Sequence, residues 1–192
     1  MRGRGRVTET IHPRRRDRGR EGAWIRAYLE RAPWGVLALA AGSEPPHLNS
    51  NLFLYRPEPD RIYLHSARAG ALPAGLESEE GVPASFTAAG MGRLLPADEA
   101  LEFSVEYHGV VARGRAFTVR DSREAESALQ GLLDKYAPHL RPGRDYRSIV
   151  PAEMKRTAVY RLDVEAWSGK QKAVGEHAGS FPLDPLGVPF EP

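Results

Sequence analysis

Residues 47–67, HLNSNLFLYR-PEPD-RIYLHSA, decide the fold. In the first ten, Leu48, Ser50, Leu52 and Leu54 fall on one side and His47, Asn49, Asn51, Phe53 and Tyr55 on the other. A period of two marks a strand. Pro57-Glu58-Pro59-Asp60 reads as a turn. Residues 61–67 form a second strand, with Ile62 and Leu64 opposite Arg61, Tyr63 and His65. Two strands joined by so short a turn make an antiparallel hairpin.

Working outward, residues 22–32 carry Trp24, Ile25, Tyr28, Leu29 and Ala32 at helical spacing, ended by Pro33. Residues 34–41, WGVLALAA, form an apolar strand before Gly42-Ser43 and Pro45-Pro46. Downstream, residues 70–80 predict a poor helix, weakened by Pro73 and Gly75. Residues 82–92 predict a strand, 93–100 a loop, and 101–120 a long β segment. There Phe103, Val105 and Tyr107 share a face, and Gly109 and Gly114 suggest a bend or bulge. Asp121 caps a helix, with Glu124 placed as in a capping box. Its apolar stripe is Ala125, Ala128, Leu129, Leu132, Leu133 and Tyr136, and Pro138 stops it. Residues 151–156 predict one helical turn. Residues 158–167 are the cleanest strand, with Ala158, Tyr160, Leu162, Val164 and Ala166 facing one way and Arg161, Asp163 and Glu165 facing water. Successive strands with short turns argue for an antiparallel sheet. Six or so strands with bends suggest a small closed barrel in an α+β, mainly β, domain.

The chain has 192 residues, enough for one domain. No cysteine is present, which excludes disulfides, thiolate metal sites and a cysteine nucleophile. No apolar run approaches the roughly 18 residues of a membrane span. The N-terminal charges are not followed by an apolar stretch, as a secretory signal would require. A soluble, cytoplasmic protein is expected. Charge is unevenly spread. Residues 1–20 hold eight arginines against Glu9 and Asp17, a net of +6, while the remainder has a net of −4. The expected organisation is a basic, disordered tail over 1–21, a domain over 22–172, and an extended Pro/Gly-rich tail over 173–192. The basic tail could make weak contacts with nucleic-acid phosphates, or simply be solvated.

Phosphate-loop, dinucleotide and nucleophile-elbow motifs are absent. The six histidines have no metal-ligand spacing, so no metal is expected. Three clusters remain. At the end of a strand, His65, Ser66, Ala67, Arg68 and Gly70 offer a hydroxyl, backbone N–H groups and a cation that could receive a phosphate, or form an ordinary strand end. Asn49 and Asn51 share a strand face where they could meet a polar ligand, or lie on the surface. Trp167, Ser168, Gly169 and Lys170 set an indole beside a cation. The indole could stack on a ligand ring, or pack in the core or an interface.

Together these residues resemble the FMN-binding split-barrel flavoproteins, the pyridoxamine-phosphate-oxidase-like superfamily. Within it, the likeness is to the nitroimidazole-resistance (Nim) proteins. It runs from about Trp24 to Lys172. Its most specific pieces are Tyr63-Leu64-His65-Ser66-Ala67 and Lys155-Arg156-Thr157-Ala158-Val159 with Trp167-Ser168-Gly169-Lys170. Residues 94–107 are similar to the Nim loop before the long fifth strand. The resemblance implies a six-stranded antiparallel split barrel with flanking helices, and a homodimer holding FMN at the subunit interface. It implies that the third strand and its turn cradle the FMN phosphate, and that His65 lies beside the flavin as the catalytic residue. It implies that Trp167 and Gly169 meet the flavin from the partner chain. The implied reaction is flavin-dependent reduction of a nitroaromatic to an amine.

Two positions depart from that pattern. The family's usual phosphate-anchoring arginine is Ala71 here, which should weaken FMN binding by about 1.5–3 kcal/mol. Arg68, Arg93 or Lys170 could compensate. His108-Gly109 stands where the family often has serine. These departures keep a second reading open, a non-enzymatic split-barrel protein that holds a flavin or a haem.

Overall fold

The computed structural model describes residues 9–41, 44–68, 76 and 79–183. Its strands are β1 (Glu9–Thr10), β2 (Gly19–Arg20), β3 (Gly35–Ala41), β4 (Glu44–Asn51), β5 (Leu54–Pro57), β6 (Asp60–Ala67), β7 (Val82–Leu95), β8 (Ser104–Thr118), β9 (Thr157–Lys172) and β10 (Phe181–Pro182). The helices are α1 (Gly22–Arg31), α2 (Ser122–Tyr136) and α3 (Pro151–Arg156). Most of the helix predicted at 70–80, with Gly70 and Ala71, lies outside the described residues.

The strands form one ten-stranded sheet with the main order β4-β3-β7-β8-β9-β6-β5. Every neighbouring pair on that path is antiparallel. The expected hairpin is present as β5 and β6, in register from Leu54↔Tyr63 to Pro57↔Asp60. Two expectations need correction. Among the described residues the sheet has ten strands rather than six, and it is open, with β4 and β5 at the ends of its path. The predicted strand 47–56 breaks at Leu52-Phe53, and side chains satisfy the break. Asn51 Oδ1 accepts from the Leu52 N–H at 2.8 Å, and the Phe53 N–H donates to the Tyr136 hydroxyl at 3.1 Å. Lys135 Nζ donates to the carbonyls of Phe53 and Ala32 at 3.0 and 2.9 Å. Those partners replace a sheet ladder, so the backbone can turn there without leaving buried polar groups unpaired.

The bulge expected in the long strand lies between Arg113 and Gly114, where the β8–β9 register shifts. A Cβ on Gly114 would stand 1.9 Å from the Asp163 carbonyl oxygen, so the close approach requires glycine. Gly109 pairs regularly. The main core lies on one face of the sheet, under α1. Phe53 meets Phe86 edge to face at 4.7 Å, beside Ile25 and Leu29 of the helix. Each such side chain contributes about 1.5–3 kcal/mol by leaving water. On the other face, α2 lays Ala125 and Ala128 against Tyr63 and Val159.

Asp163 does not face water as expected. It is buried and accepts from Arg61 Nε at 2.9 Å and Arg161 Nη2 at 3.3 Å. Glu124 is half of the expected capping box. Its N–H bonds Asp121 Oδ1 at 2.8 Å, but its carboxylate accepts from the Tyr63 hydroxyl and Arg161. Burial pushes its carboxyl up, but the hydrogen bonds from Arg161 and the Tyr63 hydroxyl outweigh that and hold it below the usual carboxylate range.

Residues 9–20 are not a free tail. β1 runs parallel to β9 at Ala166 and Trp167, and β2 pairs antiparallel with Gly169 and Lys170. Beyond the reach of β6, they cover the second edge of β9. With β8 pairing on the other edge, the strand expected to stop at residue 167 runs as far as Lys172. The stretch after β9 folds back, with Val174 N–H donating to Glu106 at 3.0 Å and β10 pairing with β7. No described helix is long and apolar enough to cross a membrane.

Candidate functional site

A cleft of 660 Å³ opens where β6 ends and β9 begins. The antiparallel register His65↔Val159, Ser66↔Ala158 and Ala67↔Thr157 builds it. The Arg68 N–H donates to the Arg156 carbonyl at 2.9 Å and carries the pairing one step further. This register sets His65-Ser66-Ala67-Arg68 against Lys155-Arg156-Thr157, all of which line the cleft. Arg68, Lys155 and Arg156 give it three exposed cations, and Ser66 and Thr157 give it hydroxyls. Ser66 Oγ donates to the Ala67 carbonyl at 3.1 Å and lies 3.4 Å from the Tyr160 hydroxyl. Such a donor set suits a phosphate or another compact anion.

His65 has a different character. Its Nδ1 is buried and has no hydrogen-bond partner. Burial pushes its pKa below the ordinary 6.5, so the ring is neutral at pH 7. A buried polar atom without a partner costs about 1–3 kcal/mol. A ligand that bonds Nδ1 removes that cost.

The remaining predicted residues divide. Asn51 turns back on the protein, its Nδ2 donating to the His65 carbonyl at 2.5 Å. It positions the strand that carries His65. Asn49 is half-buried on β4, opposite Leu37, and does not line the cleft. Trp167 is only 2 % exposed and packs in the core, with the Arg26 guanidinium 4.8 Å over its ring. Within one chain the core takes this indole. Ser168 is half-buried, and Gly169 is buried between β2 and β8. Lys170 is exposed, with Nζ 5.2 Å from the Tyr107 ring centroid. At about 3.3 Å per residue, Thr157 and Trp167 lie roughly 30 Å apart along β9. One chain therefore holds the two predicted clusters at opposite ends of one strand. Gly70 lies outside the described residues.

Lys155, Arg156 and Thr157 are the lining residues that cluster-by-cluster reading missed. They precede a strand, where cations read as solvated. The signal was the antiparallel pairing that the hairpin and the final strand share, which sets KRTA opposite HSA. Among the described residues no group of His, Asp and Glu could hold a metal ion.

The family model for pyridoxamine 5'-phosphate oxidase matches residues 22–171. No curated protein matches the chain. Solved structures share its fold. The flavocytochrome Anf3 from Azotobacter vinelandii is 23% identical, with a TM-score of 0.72, covering 94% of this chain and 86% of that one. The FAD and haem binding protein from Mycobacterium smegmatis is 20% identical, with a TM-score of 0.70, covering 90% and 89%. A candidate 5-nitroimidazole antibiotic resistance protein from Bacteroides thetaiotaomicron is 18% identical, with a TM-score of 0.62, covering 79% and 84%.

Proposed function

We propose that this chain, which belongs to the pyridoxamine 5'-phosphate oxidase family, is a cytoplasmic, FMN-dependent oxidoreductase that reduces small nitroaromatic compounds. The observation that carries the reading is the cleft at the start of β9, where three cations and two hydroxyls surround a neutral histidine with an unpartnered ring nitrogen.

The residues fit a phosphorylated flavin. Arg68, Lys155 and Arg156 would hold the phosphate by charge, whether or not Ala71 stands where relatives carry arginine. Ser66 and Thr157 would complete its hydrogen bonds. His65 would meet the edge of the ring system with Nδ1. Because burial keeps it neutral, it places no charge there and can accept or donate according to tautomer. A bound flavin supplies the electron transfer; the protein supplies binding, orientation and electrostatics. The roughly 30 Å between Thr157 and Trp167 along β9 favours a site shared between two copies. A two-fold axis can bring the Lys170 end of one chain to the His65 end of the other.

A second reading is a binding module that holds a flavin or a haem without turnover. It draws on the same unpartnered imidazole, since neutral histidine is also a haem ligand. One of the similar structures is named as binding FAD and haem, and another as a flavocytochrome. Absorption spectra before and after adding FMN, followed by gel filtration, test both. A flavin band that travels with a dimer, and electrons passed from the dithionite-reduced protein to a 5-nitroimidazole, are expected. A retained flavin without electron transfer, or a Soret band in place of a flavin band, would favour the module. Neither band would remove both readings.

A further inference from the structure

We infer that the chain carries a second ligand site, a pocket for a flat aromatic ring bearing one anionic group, between α1 and the far ends of β8 and β9. The pocket shares no lining residue with the His65 cleft of its own chain, and the FMN competition below separates it from a flavin site shared between two chains.

The pocket encloses 300 Å³. Its wall is aromatic. Trp24 and Tyr28, one helical turn apart on α1, stack at 5.1 Å with their planes 9° apart. His108 meets Tyr28 edge to face at 5.2 Å. That histidine needs space, which the neighbouring strand provides. Gly90 is its register partner, and a Cβ there would stand 2.5 Å from the imidazole. Flat walls of this kind favour a flat guest, stacked or edge-on.

The polar groups converge and are only partly used. His108 Nδ1 lies 2.9 Å from the Tyr28 hydroxyl. Burial raises the Tyr28 pKa, so that hydroxyl keeps its proton. When it donates to Nδ1, the ring N–H lies on Nε2. Nε2 has no hydrogen bond among the described residues. Gln171 accepts from Arg20 Nε at 3.0 Å through Oε1, which leaves its amide N–H groups as donors. At the rim, Arg31 is exposed and makes no ion pair among the described residues. The pocket thus presents an aromatic wall, two donors and an unpaired guanidinium. A cleft that combines apolar walls with convergent polar groups has the make-up of a small-molecule site. The guest that satisfies this set is an aromatic carboxylate or its like.

The probe is 4-nitrobenzoate, titrated into the full-length protein without added flavin. The three tryptophans give three indole N–H signals in an amide spectrum. The Trp24 signal should move saturably while those of Trp34 and Trp167 stay still. Arg31→Gln, at an exposed position, should weaken 4-nitrobenzoate at least tenfold and leave neutral nitrobenzene unchanged. Tyr28→Leu should weaken both. Adding FMN should leave the titration unaltered. No saturable shift, a shift confined to Trp34, or equal loss of both probes in Arg31→Gln would overturn the inference. Competition by FMN would assign the pocket to the flavin site and also remove it as a second site.

Discussion

Asn51 Nδ2 reaches across the break in the sheet to the backbone carbonyl of His65, 2.5 Å away. One side chain thereby fixes the end of β4 to the strand that builds the cleft. Asn51→Ala should cost about 1 kcal/mol of stability. It should also loosen His65 more than the rest of β6. Denaturant melts and amide exchange at residues 64–66 check this. Uniform exchange across β6 would mean that the bond does not position the histidine.

The half-buried imidazole of His65 predicts an acid-labile contribution. Its folded-state pKa lies below the 6.5 of an exposed histidine. The unfolded chain therefore takes up a proton first as pH falls below that value. Stability from this residue is intact above it and is lost as pH drops toward the folded-state pKa. Comparing wild type with His65→Gln between pH 7 and about 5 isolates the term. The wild type should lose stability faster over that window. A bound ligand on Nδ1 should change the size of the difference.

Lys155 and Arg156 are exposed, so Lys155→Gln with Arg156→Gln should leave the fold intact. Binding of FMN and of inorganic phosphate should each fall at least tenfold. The salt dependence of binding should flatten as well, since fewer charges take part. Binding unchanged in the double variant would move the phosphate elsewhere.

The Lys135 side chain is half-buried beside the end of α1, its ammonium lying 3.9 Å over the Phe53 ring and bonded to two carbonyls near 3 Å. Burial brings its pKa down from 10.5 to about 8. The penalty for holding it charged is present below about 8. It fades as pH rises toward 10.5, so wild type should gain stability against Lys135→Met over that interval. At pH 7 the Met variant should still be less stable by about 1–3 kcal/mol, because the Ala32 carbonyl loses the ammonium and the Phe53 carbonyl keeps only the Tyr136 hydroxyl. Thermal melts across the pH series separate the two effects.

Removing residues 1–20 should do more than strip charge. It uncovers the edge of β9 from Ala166 to Lys170, and open edges invite pairing with other chains. The truncated protein should melt earlier and self-associate. Unchanged sedimentation and melting would show that the docked segment contributes little.

The sequence reveals most of the local order. Proline and glycine bound the helices, the 47–67 hairpin follows its alternation, and Gly114 marks the bulge. It conceals whatever distant partners decide. Nothing in SGKQK alternates, yet the strand continues there, because β8 and β2 pair with it from far away in the chain. Asp163 and Glu124 read as solvent-facing or capping residues. Arg61 and Arg161, brought in by the β6–β9 register, draw them inward. The cleft illustrates the same limit. His65 stands out in sequence because a histidine ends a strand. Lys155 and Arg156 do not, because only tertiary pairing places them opposite it.

The central position of β9 has a consequence for how the protein comes into being. This strand lies between β6 and β8, and its far edge also receives β1 and β2. Of the sheet's described long strands it is the last to leave a ribosome. Until Thr157–Lys172 emerges, β6 and β8 each wait with one open edge, and the amino-terminal residues have nothing to dock on. Sequence-distant pairing of this kind slows folding. The nascent chain must therefore carry β1, β2, β6 and β8 without their common partner, and that interval is when a chaperone would have most to protect.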